Sequence, residues 1–197
     1  MKHTPRLLTT LLLTVAASAA FAQSTASTVQ RDVNQQTRIE QGLKSGSLTT
    51  QEAGRLEREE SHVDRLQAKT LRDGSVTPAE RQRLEQAQNR VSHDIQAAKT
   101  NGVTGAPGSA SSERMQADVQ RNINQEKRIE QGVQSGAVTN REAGRLEHAQ
   151  ARTDHREAAA ARDGHVGAHE QARIQHQENR DSAQIAAQKH NKHHRKG

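Results

Sequence analysis

A chain of 197 residues with 29 Lys and Arg against 23 Asp and Glu carries a net charge of +6, a single Phe as its only aromatic residue, and no cysteine. The missing cysteine excludes disulfides, thiolate metal sites, covalent haem attachment and thiol nucleophiles. The missing aromatic side chains remove the stacking platform of single-strand binders, so no specific nucleic-acid partner is expected.

The first segment reads as an export signal. Lys2 and Arg6 precede an apolar run from Leu7 to Ala20, and Ala20-Phe21-Ala22 is a small-x-small cleavage site ahead of Gln23. Residues 1–22 are therefore expected to be removed, placing the mature chain in the periplasm or outside the cell. Phe21 leaves with them, and loss of Lys2 and Arg6 takes the charge from +6 to about +4 (+6 − 2). No later run is apolar enough for a transmembrane segment.

Beyond the signal, the chain is two copies of one unit. Arg38-Ile39-Glu40-Gln41-Gly42, Ser45-Gly46 and Glu52-Ala53-Gly54-Arg55-Leu56-Glu57 recur ninety positions later as Arg128-Ile129-Glu130-Gln131-Gly132, Ser135-Gly136 and Glu142-Ala143-Gly144-Arg145-Leu146-Glu147. The expected division is residues 23–99 for the first copy, a Gly/Ser-rich flexible linker at 100–112, 113–188 for the second copy, and a basic His-rich tail at 189–197.

The first copy has a Gly-x-aliphatic-Thr-x-x-Glu turn twice, and the second has it once, with a decayed Gly164-His165-Val166-Gly167-x-x-Glu170. The Gly ends a helix, the Thr caps the next, and the Glu three residues on returns the bond. The expected caps are Thr49 with Glu52, Thr77 with Glu80, and Thr139 with Glu142. Apolar stripes follow at helical spacing: Val29, Val33, Ile39 and Leu43; then Leu56, Val63, Leu66 and Thr70; then Leu84, Ala87, Val91, Ile95 and Ala98. The fold class predicted is all-α, two tandem three-helix units joined by a flexible linker, with Gly-turn and capping-box connections. The second copy has Thr153, Arg156, Ala161 and Asp181 where the first has Val63, Leu66, Leu71 and Val91, so its stripe needs a partner or stays solvated.

These repeated elements resemble the uncharacterised Arg/Gln-rich exported helical-repeat proteins of proteobacteria. The resemblance implies helix and export and brings no activity with it. The turns also resemble the latter half of an EF-hand loop, with Asp73 and Glu80, or Asp163 and Glu170, as the calcium ligands. Lys69 and Leu71 stand where that loop needs oxygen ligands, so no specific calcium site is expected.

Histidine gathers in the second half. His165, His169, His176, His190, His193 and His194 are candidate ligands for Zn²⁺, Cu²⁺ or Ni²⁺, metals that imidazole suits. No phosphate loop, His-Glu-x-x-His helix or nucleophile elbow occurs, and no enzyme is expected. The function expected is an exported binding or scaffold protein with weak transition-metal capture. The alternatives are a structural or chaperone-like envelope protein with incidental histidines, and a degenerate EF-hand-like calcium-responsive protein. Envelope proteins, anionic surface polymers or a second copy of the chain are the partners its charge and thin stripes suit.

Overall fold

The computed structural model describes residues 13–191, and the described chain is all-helical. Six helices follow in order: α1 (Leu13–Ser45), α2 (Thr50–Thr70), α3 (Pro78–Lys99), α4 (Ala110–Gln134), α5 (Asn140–Ala160) and α6 (Ala168–Lys189). No helix among the described residues is long and apolar enough to cross a membrane. Residues 1–12 of the expected signal and residues 192–197 of the tail lie outside the described residues.

The turns follow from local chemistry. Gly46 ends α1 at φ +75°, a conformation side chains resist, and Thr49 then caps α2. The Thr49 hydroxyl accepts from the Glu52 N–H at 3.1 Å, and the Glu52 carboxylate accepts from the Thr49 N–H at 2.9 Å. Thr77 with Glu80 and Thr139 with Glu142 make the same exchange. In the fourth turn Gly167 has no hydroxyl, and only the bond from its N–H to Glu170 is made, at 2.9 Å.

The packing differs from two separate units. The largest apolar cluster joins Ile39, Leu43, Leu56 and Val63 of the first copy with Met115, Val119, Ile123 and Ile174 of the second. Each central helix packs chiefly on its own counterpart, α2 on α5 and α1 on α4. α2 and α5 run antiparallel: Gln51 donates to the Arg162 carbonyl at 3.0 Å, Ser61 to that of Ala151 at 2.8 Å, and Asn140 to that of Gly74 at 3.1 Å. Gly54 and Gly144 permit this approach. A Cβ on the first would lie 2.5 Å from the Ala161 Cβ, and on the second 2.9 Å from the Leu71 Cβ. The physical reason for the merger is that each stripe is one residue wide. Two copies together bury what neither could bury alone.

α3 and α6 flank this four-helix centre through polar ties repeated in both copies. Arg31 donates to Asn89 at 2.8 Å and Arg121 to Asn179 at 2.6 Å. Gln35 reaches the Gln88 carbonyl at 2.7 Å, and Gln125 that of Glu178 at 2.9 Å. The expected flexible linker is held down: the Gly105 N–H donates to the Gly46 carbonyl at 2.8 Å, and Asn101 donates to Glu52 at 2.6 Å. Its last three residues already belong to α4.

Candidate metal centre

The four central helices enclose acids. Asp32 on α1, Glu57, Glu60 and Asp64 on α2, Glu126 on α4, and Glu147, Asp154 and Glu157 on α5 are each at most 3% exposed. The spacing 57, 60, 64 and 67 puts Glu57, Glu60, Asp64 and Gln67 on one face of α2, beside the stripe of Leu56, Val63 and Thr70. In an isolated helix that face would be solvated. Here α5 covers it, as α2 covers the equivalent face of α5.

Two groups of three carboxylates converge. Oxygens of Asp32, Asp64 and Glu147 lie within 4.8 Å of one another, and so do those of Glu57, Asp154 and Glu157. Amides hold several in place. Gln88 donates to Asp32 at 2.7 Å, with Gln67 on its other oxygen, and Gln36 donates to Glu57 at 2.8 Å. Asn122 donates to both oxygens of Glu157, at 2.9 and 3.0 Å. Other oxygens face the interior without a hydrogen-bond partner, among them both of Glu60, both of Glu147 and one of Glu57. The amide oxygens of Gln36, Gln67 and Asn122 are likewise unpartnered.

No Lys, Arg or His is among the buried described residues. The electrostatics follow from that imbalance. Burial pushes Asp32 up to about 7 and Glu57 up to about 8, against amide hydrogen bonds that pull them down. Burial and then neighbouring carboxylates raise Glu60, Glu126, Glu147 and Glu157 well above their ordinary range. Asp64 and Asp154 are raised in the same way. Near the edge, Glu178 is pushed to about 8 by burial and Asp118, although Arg121 pairs with it at 2.9 Å.

An uncompensated carboxylate in a dry interior costs several kcal/mol, on the order of the effective penalties for buried ions. These groups must therefore take up protons or cations. Clustered carboxylate and carbonyl oxygens are the donor set of hard cations such as Mg²⁺, Ca²⁺ and Mn²⁺, and facing helices of a bundle are where such sites are built.

The residues singled out from the sequence lie elsewhere. His165, His169, His176 and His190 are exposed, and no described histidine belongs to either group of three. His165 sits in the turn before α6 and His169 in its first turn, so the two do not share a helix face. His176 contacts Arg180 through Nδ1. His193 and His194 lie outside the described residues. In the EF-hand-like turns, Asp73 accepts from the Ser75 N–H at 2.9 Å and Asp163 from the His165 N–H at 2.9 Å. Glu80 and Glu170 are engaged in closing their turns, so these acids act locally.

The buried acids were missed because Glu and Asp at helical spacing read as a solvated face. One signal was present: Glu57 and Asp64 keep their identity as Glu147 and Asp154, while exposed His62 and Arg65 become Arg152 and His155. No family model matches the chain, and no curated protein or solved structure matches it either.

Proposed function

We propose that this chain is an exported, non-enzymatic cation-binding protein that holds hard divalent ions inside its four-helix centre. The observation carrying this reading is an interior with eleven carboxylates at most 3% exposed and, among the described residues, no buried basic residue. Glu147 and Glu60, whose oxygens have no hydrogen-bond partner, supply lone pairs that an ion would take up. Asp32, Asp64 and Glu147 would form one seat, and Glu57, Asp154 and Glu157 the other. The pairing of the two copies is what makes both seats, since each draws on α2 and α5.

This reading moves the metal from imidazole to carboxylate and from Zn²⁺, Cu²⁺ or Ni²⁺ to harder ions. Weak capture of the softer metals by the histidines of the second half is a separate, surface property within the same proposal. Export to the periplasm or beyond rests on the leader motif. The scaffold alternative takes the acids as protonated, which their burial and the neighbouring carboxylates around Glu60, Asp154 and Glu157 favour.

Isothermal titration of the full chain with Mn²⁺, Ca²⁺, Mg²⁺ and Zn²⁺ at neutral pH separates the two. Saturable binding of a hard ion, lost in Glu147→Gln and kept after Ala replacement of His165, His169 and His176, supports the cation reading. Heat only from Zn²⁺, removed by the histidine replacements, would return the function to the surface.

A further inference from the structure

The two copies are related, but their outer faces have diverged in charge. Between α2 and α5 run two grooves at equivalent positions. One, of about 290 Å³, is lined by Arg55, Arg58 and Arg162 together with Glu52. Its counterpart, of about 450 Å³, is lined by Arg65, Lys69, Arg72, Arg141, Arg145 and Arg152, and by no carboxylate. The extra cations are substitutions between the copies. Arg65, Lys69, Arg141 and Arg152 correspond to His155, Ala159, Gln51 and His62, against one change the other way, Arg58 to His148.

We propose that this larger groove binds an oligophosphate anion, two or more linked phosphate groups, independently of the carboxylate centre. All six cationic side chains are exposed, and among the described residues none forms an ion pair. Their hydrogen bonds are slight: Arg65 donates to the Ser61 hydroxyl at 2.9 Å, Arg141 to the Asp73 carbonyl at 3.4 Å, and Arg152 meets the His148 ring at 2.9 Å. Each guanidinium keeps further N–H donors for an anion, and the fork geometry of Arg matches phosphate oxygens. The floor is low because Gly144 lies against Ala68, where a Cβ would come within 3.3 Å of the Ala68 carbonyl oxygen. His148 and Gln184 complete the lining and bring no negative charge. A groove of about 450 Å³ suits a compact ion. Six like charges around that volume repel one another, and a multiply charged anion relieves this where a single phosphate relieves little.

Titration of the full chain with tripolyphosphate, inorganic phosphate and anionic phospholipid vesicles tests it. Tripolyphosphate is expected to bind at least about tenfold more tightly than inorganic phosphate, with affinity falling as salt rises. The pair Lys69→Gln with Arg145→Gln should lose most of that affinity, while Arg55→Gln with Arg58→Gln in the smaller groove should keep it. On the unaltered chain, tripolyphosphate should shield Lys69 from an amine-reactive label, read by mass spectrometry, and leave exposed Lys127 labelled. No tripolyphosphate binding, equal loss in both variant pairs, equal shielding of both lysines, or binding to vesicles alone would each overturn the proposal.

Discussion

Asp64 and Asp154, equivalent residues of the two copies, hydrogen-bond to each other in the middle of the protein. A carboxyl can donate to a carboxylate only if one of the two holds a proton, so this contact ties the interface between the copies to proton occupancy. Replacing either Asp with Asn removes an ionisable group and keeps the shape. Asp154→Asn is expected to stabilise the metal-free chain at pH 8 by about 1–2 kcal/mol, in line with other relieved buried charges. Urea unfolding checks this, and a destabilisation of similar size would show that the charge there is already compensated.

The same acids set an inverted pH dependence. Their folded-state values, about 7 for Asp32 and about 8 for Glu57, lie above the ordinary carboxylate range. The folded state therefore holds more protons than the unfolded state, and metal-free stability falls as pH rises from about 4 through 8. Melting followed by circular dichroism in chelator should give a higher midpoint at pH 5 than at pH 8. A divalent cation that binds the interior should recover the midpoint at pH 8 and do little at pH 5, where protons hold the oxygens.

The merged architecture bears on folding. Residues 23–101 and 111–197 expressed as separate chains lose the α2–α5 and α1–α4 faces that bury Ile39, Leu43, Met115 and Val119. Each half alone should show weak helicity and no cooperative melt, and mixing them should restore both. Two halves that melt cooperatively by themselves would mean that each stripe suffices.

The glycine contact offers a sharper mutational test. Gly54→Val puts a branched side chain where even a Cβ meets that of Ala161 at 2.5 Å, so a loss of about 2–3 kcal/mol is expected from overpacking. Thr49→Ala, which removes a single cap bond, should cost only about 1 kcal/mol. Equal effects in denaturant titrations would argue against the close α2–α5 approach.

The apolar half of this fold was legible from periodicity. Val29, Val33, Ile39 and Leu43, then Leu56 and Val63, then Leu84, Val91 and Ile95, are all buried, because a helical stripe of aliphatics has only one comfortable place to go. What covers each stripe was not legible, since a repeat of period ninety is compatible with separate or merged copies. The second copy illustrates the difference. Val63 and Val91 become Thr153 and Asp181, which look like decay in sequence; in the fold both are buried and Thr153 donates its hydroxyl proton to Asp181 at 2.8 Å. The carboxylate centre was hidden for the same reason. Glu57, Asp64, Glu147 and Asp154 become interior only when the two acidic faces are closed on each other.

Anomalous diffraction from crystals grown with Mn²⁺ at neutral pH places the ion directly. The account predicts density within about 2.1–2.5 Å of oxygens from Asp64 and Glu147, or from Glu57 and Asp154, distances usual for hard divalent cations on carboxylates. Manganese found only at surface histidines or at the exposed turns of Asp73 and Asp163, with the interior acids bonded to one another alone, would contradict it.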